Sequence, residues 1–255
     1  TSNRSGMVIL AADLGGTQSR LLLAQRQGNV RQAVRQRTLP SHDYATITEL
    51  LTDFLLPGEH PQSACIAAAG PVEGGRLKLT NLPWLLDADD LRRHLGIARL
   101  CLLNDFAAQT HALPLLQSQQ LCTLQAGTTE KNGVRALIGA GTGLGMALLA
   151  GTTQQPLALA SQGGHVNFAP RDAQQIELLR YLLPSYGRVS LELLLSGSGI
   201  SRLYAFLAQL PVTTRELPDA HAISLAAAAG DALAEQTLRL FARLYGAAAG
   251  NLALT

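Results

Sequence analysis

The sequence predicts an α/β fold arranged in two lobes, and three observations carry that expectation. Short, continuous apolar runs alternate with segments of helical periodicity through the first half of the chain. Two glycine-rich turns, at 15–16 and at 139–145, each lie between a pair of strand-like runs, so the second echoes the first. The second half then becomes mostly helical, with apolar periodicity over 176–183, 191–195, 200–210 and 233–244. Alternating strands and helices call for a sheet covered by helices. The repeated hairpin calls for two lobes, meeting near residues 105–120.

In chain order, Val8-Ile9-Leu10-Ala11-Ala12 reads as a strand, Gly15-Gly16 as a turn, and Arg20-Leu21-Leu22-Leu23-Ala24 as the returning strand. Ile47, Leu50, Leu51, Phe54 and Leu55 recur at helical spacing behind the cap-rich Ser41-His42-Asp43, and Pro57-Gly58 ends that helix. Residues 65–69 read as a buried strand closed by Gly70-Pro71. Residues 87–95 read as a helix stopped by Gly96, and residues 98–103 as another buried strand.

Composition narrows the function classes. A hydrophobic share of 47% over 255 residues is enough for a substantial core. The 20 basic and 18 acidic residues are interspersed, with no basic stripe, which argues against a nucleic-acid partner. Cys65, Cys101 and Cys122 sit in apolar stretches without C-x-x-C spacing, the pattern of buried thiols in a reducing compartment, so a cytoplasmic location is expected. No apolar stretch reaches 18 residues, and the alanine-rich 222–230 is too short to span a bilayer. Residues 1–6 have no apolar core like that of a signal peptide and precede Met7, which reads as a short tail or remnant.

Chemistry concentrates in four places. Gly15 and Gly16 let backbone N–H groups approach a phosphate, Thr17 adds a hydroxyl, and Asp13 at the strand end is placed to orient a magnesium ion through water. Taken alone, the same residues also make an ordinary tight hairpin whose Asp satisfies turn amides. The second turn repeats the opportunity with Gly141, Thr142 and Gly143. Its following residues, 146–150, are strand-like, and no acidic residue stands at the spacing a dinucleotide fold requires. Asn104-Asp105 ends a buried strand, where α/β proteins expose ligand-binding groups; Asp105 is the catalytic candidate, and either residue also suits a helix cap. Gln162 and His165 flank another glycine turn and supply the mixed donors and acceptors a polyhydroxylated ligand needs. Singly, His165 reads as a structural histidine and Glu192 as a solvated helix-face residue. The histidines show no zinc-ligand spacing.

Taken together these residues resemble the bacterial glucokinases of the hexokinase, actin and heat-shock ATPase superfamily. Asp13-Leu14-Gly15-Gly16-Thr17-Gln18-Ser19-Arg20 resembles the first phosphate motif, Leu103-Asn104-Asp105-Phe106 the catalytic motif, and residues 139–145 the second phosphate motif. Gly163-Gly164-His165-Val166 with Phe168-Ala169-Pro170, and Val189-Ser190-Leu191-Glu192 with Leu195-Ser196-Gly197, resemble the sugar-binding segments.

The resemblance implies a two-lobed actin-like ATPase fold of ribonuclease H-like type. A small α/β domain over 1–110 and a large one over 111–255 would hold the active site in the cleft between them. It implies ATP-dependent phosphorylation of glucose at the 6-hydroxyl, giving glucose 6-phosphate. Asp105 takes the hydroxyl proton while Asn104, Gln162, His165 and Glu192 hold the sugar. Asp13, Gly15, Gly16, Thr17, Gly141, Thr142 and Gly143 serve ATP and Mg²⁺. Glucose and ATP are the expected partners, with a homodimer as the candidate assembly and neither nucleic acid nor membrane.

Gln162 departs from the glutamate usual at that position, replacing an anion with a neutral amide. The chain also stops within what reads as a long helix, where the resemblance calls for a further strand, an adenosine motif and a returning helix. A kinase for another hexose or amino sugar, a sugar-sensing relative, and an actin-like nucleotide hydrolase are the competing readings. No N-terminal helix-turn-helix supports a DNA-binding sensor. Asn104-Asp105 and Gly163-Gly164-His165 are segments the hydrolase would not need.

Overall fold

The computed structural model describes residues 7–255 except 29, 80, 81, 129, 131, 153 and 215, with the backbone alone at 27, 30 and 31. The tail at 1–6 therefore lies outside the described residues. The chain forms two compact units, one running to Cys122 and one from Thr123.

In the first unit, β1 (Met7–Leu14), β2 (Gln18–Gln27) and β3 (Val30–Pro40) make an antiparallel meander. Helix α1 (Ile47–Phe54) follows, and β4 (Ser63–Ala68) returns parallel to β1. A small antiparallel sheet of β5 (Val72–Glu73), β6 (Arg76–Lys78) and β7 (Leu85–Asp87) leads to α2 (Ala88–Leu95). Strand β8 (Arg99–Asn104) then runs parallel to β4, and α3 (Asp105–Ala112) leaves its end. The main sheet has the order β3-β2-β1-β4-β8.

Alternation places Leu10, Ala12 and Leu14 of β1 in the core, opposite Leu23, Leu21 and Ser19 of β2. Ile66 and Leu102 extend the same apolar face, and Leu50, Leu51 and Phe54 of α1 are fully buried in this core. Helix α2 has the caps its sequence announces. The Asp87 carboxylate accepts from the N–H groups of Asp89 and Asp90, and Gly96 closes the helix in the left-handed region at φ +65°.

Two expectations are corrected here. Helix α1 is capped by Thr46, whose hydroxyl accepts from Glu49 N at 3.2 Å, whereas Ser41–Asp43 forms a separate 3₁₀ turn. Ser41 is drawn away from capping because it is buried against the first glycine turn. The thiols are not uniformly buried: Cys101 and Cys122 are exposed and only Cys65 is partly covered. Cys101 points to the face of β8 opposite Leu102, away from the core, and Cys122 lies in an irregular segment. Cys65 is paired with Cys101 in the β4–β8 register, and burial, helped by that neighbour, pushes its thiol up to about 11.

In the second unit, β9 (Arg135–Ala140), β10 (Leu144–Gly151) and β11 (Pro156–Ser161) form an antiparallel meander in the order β11-β10-β9. This repeats the β1-turn-β2-β3 unit, so the sequence echo is a structural one. A strand follows the 141–143 turn where a dinucleotide fold would place a helix.

Among the described residues the helices that complete the unit are α4 (Ala173–Tyr186), α5 (Leu191–Leu194), α6 (Gly197–Leu207), α7 (Ala220–Ala228) and α8 (Ala232–Leu252). Leu240, Leu244 and Ala248 recur every four residues along α8 and join Leu178, Leu182, Leu194 and Leu203 in a second core that includes Leu144 and Met146 of β10. Among the described residues no helix is long and apolar enough to cross a membrane.

Candidate active site

The first glycine turn is pinned from below. Gly15 N–H donates to Gln18 O at 3.1 Å, and a Cβ built on Gly15 would stand 2.6 Å from that same oxygen, so the turn admits only glycine there. The Ser41 hydroxyl donates to Gly15 O at 2.7 Å, its N–H donates to Thr17 O at 2.9 Å, and its oxygen lies 2.9 Å from the buried Ser19 hydroxyl. Sequence reasoning missed this anchor, since a serine beside a helix start suggests a cap. Above it, the Thr17 side chain is exposed, and the half-exposed Asp13 carboxylate makes an ion pair with Arg20 at 3.3 Å.

Asn104 and Asp105 sit where β8 becomes α3, and Asn104 does two jobs. Its Oδ1 caps α3, accepting from Phe106 N at 3.0 Å and Ala107 N at 3.2 Å, while its Nδ2 donates to Gly70 O at 3.2 Å at the end of β4. Asp105 Oδ1 accepts from Phe106 N at 2.9 Å. Burial raises the Asp105 pKa above the ordinary carboxylate value, the Phe106 N–H opposes that shift, and the charge of Asp13 adds to it. The cap and the candidate base are thus adjacent residues rather than alternatives.

In the second unit, the turn at Gly163–His165 and the strand-like residues before α5 are stitched together. Phe168 N donates to Val189 O and Leu191 N to Val166 O, each at 2.9 Å. Arg188 donates to Asn167 Oδ1 at 2.7 Å and to His165 O, a brace that the sequence did not announce. Gly164 is buried against β10: a Cβ there would lie 2.1 Å from Leu144 O.

His165 and Gln162 are exposed, and His165 Nδ1 faces Glu192 Oε1 at 3.8 Å. Glu192 is not a solvated face residue. Its Oε2 accepts from Leu144 N at 2.9 Å, directly behind the second glycine turn. That turn is further held by Gly197 N donating to Gly141 O at 2.8 Å, while Gly141 and Thr142 remain exposed. The structure therefore brings His165, Glu192 and the 141–143 turn together in this unit, while in the other the charge of Asp13 adds to the raised pKa of Asp105. Among the described residues no group of three or more His, Cys, Asp or Glu is arranged to hold a metal ion.

The glucokinase family model matches residues 10–255. This chain belongs to the glucokinase family. A glucokinase of Nostoc sp. is 38% identical over 274 residues, covering 97% of this chain and 80% of the relative. A glucokinase of Saccharophagus degradans is 36% identical over 250 residues, covering 96% and 78%. Among solved structures, glucokinase from an Antarctic psychrotroph superposes with a TM-score of 0.82 at 36% identity, over 97% of this chain and 79% of that one. Glucokinase from Balamuthia mandrillaris, solved in complex with glucose, superposes with a TM-score of 0.75 at 22% identity over 100% and 78%, which speaks to the fold. The protein is an enzyme of the kinase class with the mixed α/β fold of the actin-like ATPases.

Proposed function

We propose that this glucokinase-family enzyme transfers the γ-phosphoryl group of ATP to the 6-hydroxyl of glucose, and that Asp105 is its general base. The observation that supports the second statement most directly is the setting of Asp105. It is a half-buried carboxylate of raised pKa at the end of a parallel strand, oriented by a bond from Phe106 N and flanked by Asn104. Asp105 takes the proton of the 6-hydroxyl as its oxygen bonds to the γ-phosphorus and the bond from that phosphorus to the β–γ bridging oxygen breaks, releasing ADP; positioning supplies much of the rate. Asn104, Gln162, His165 and Glu192 hold the other sugar hydroxyls; because the relatives at 36–38% identity are glucokinases, they are read as glucose ligands ahead of another hexose or amino sugar.

The exposed parts of the two glycine turns, with Gly15, Gly16 and Thr17 in one and Gly141, Thr142 and Gly143 in the other, hold the phosphates. The donor set fits Mg²⁺: that ion uses one or two carboxylates and completes its shell with phosphate and water, and the site offers Asp13, exposed and only loosely ion-paired, near the charge of Asp105. When bound, Mg²⁺ and ATP supply the transferable group and a cation that offsets its charge. Domains over 1–110 and 111–255, a cytoplasmic location and a homodimer complete the reading, the last open to sedimentation analysis.

The test is ATP-dependent glucose phosphorylation by the wild type and by Asp105→Asn. We expect a loss of about 10²–10⁴ in turnover with glucose binding kept within about tenfold. Substantial retained turnover removes Asp105 from the mechanism.

A further inference from the structure

We infer that Glu192 is a positioning residue for the second glycine turn as well as a sugar ligand, so that one carboxylate ties the sugar segment to the phosphate-holding backbone. This rests on the reading of Gly141, Thr142 and Gly143 as phosphate-binding. The two carboxylate oxygens face different ways. Oε1 lies toward His165 at 3.8 Å, whereas Oε2 accepts from Leu144 N at 2.9 Å, the first amide after the turn.

The space for that oxygen exists only because residue 143 is glycine. A Cβ on Gly143 would stand 2.4 Å from Glu192 Oε2 and 3.1 Å from its Cδ. Such a Cβ meets the movable end of a side chain, so an alanine would displace the carboxylate rather than the backbone.

Two further contacts grip the same few residues from the sugar-binding segments: Gly197 N on Gly141 O at 2.8 Å, and Gly164 packed against Leu144 O. The turn's outer surface stays exposed for a ligand. A bond from a backbone N–H to a charged acceptor is among the stronger ones, so its loss should be visible in the affinity of whatever the turn holds.

The test measures binding of Mg²⁺ with the non-hydrolysable analogue adenylyl imidodiphosphate, without sugar, and glucose binding separately. Glu192→Ala is expected to weaken the analogue by about tenfold. Glu192→Gln, whose amide oxygen still accepts from Leu144 N, should stay within about twofold for the analogue while weakening glucose. Gly143→Ala should behave like Glu192→Ala, and the double variant should be no worse than Glu192→Ala alone, because the group the new Cβ displaces is already gone.

Unchanged analogue affinity in Glu192→Ala with glucose binding lost would make Glu192 a sugar ligand only and overturn the inference, as would fully additive effects of the two substitutions. Should Glu192→Ala fail to fold, amide exchange at Leu144 decides: it accelerates in Gly143→Ala but not in Glu192→Gln if the brace exists, and unchanged exchange in Gly143→Ala overturns it. A wild type that moves no phosphate from ATP to glucose defeats the proposed function instead, a result distinct from any of these.

Discussion

As the proposed base, Asp105 is under two demands that pull in opposite directions, because a base must ionise to accept a proton and burial resists ionisation. Its pKa is raised above the usual carboxylate value of about 3.9, so the acid limb of kcat/KM should lie above that value, with activity falling as pH drops through it. The sign for stability is the reverse. A carboxyl whose folded pKa exceeds its unfolded pKa favours the folded state below the unfolded value, and that contribution is lost as pH rises through the folded value. Asp105→Asn should therefore raise the melting temperature at pH 7 and not at pH 3, where both residues are neutral. Equal shifts at both pH values would assign the effect to packing. Gln162 is exposed beside the sugar turn, so Gln162→Ala should raise the glucose KM severalfold more than the ATP KM; equal changes would return it to an ordinary loop residue. The adjacency of Asn104 and Asp105 was legible in sequence, with the cap observed beside the proposed base. The second task of Glu192 was not, since its partner is a backbone amide 48 residues away and backbone groups leave no mark in a sequence.

At the scale of elements, the Gly163–His165 turn depends on how closely it approaches β10. Gly164→Ala would push a methyl into Leu144 O, a backbone atom that cannot swing aside, and should cost about 1–3 kcal/mol and most of the glucose affinity. Urea denaturation with a glucose titration measures both. Thr46→Ala, which removes only the α1 cap, should cost about 1 kcal/mol and leave glucose binding unchanged. Elements announced by apolar runs and caps were readable: β1, β2, β4, β8, the β9–β10 hairpin, α2 and α8. Strand β3 was not, because most of its described side chains are exposed and it exists through its ladder with β2. The short strands β5, β6 and β7 carry too few residues to show a period, and β11 buries almost nothing.

For the molecule as a whole, two separate cores predict separable stabilities. Leu178→Ala, in a fully buried position of the second core, should cost about 2–5 kcal/mol and loosen amide protection from Thr123 onward while β1 and β4 keep theirs. A uniform loss of protection in hydrogen exchange would mean one cooperative unit. The sequence by itself determined the α/β class, the repeated hairpin and the glycine turns, and it supplied the residues proposed to carry chemistry. These depend on periodicity, conformational freedom and side-chain type, all local properties of the chain. Only the tertiary structure decided that Ser41 anchors the first turn, that Arg188 braces residues 165–167 and that the Glu192 carboxylate reaches Leu144 N past Gly143. Each of these is a contact between segments remote in sequence, set by how strands register and helices pack.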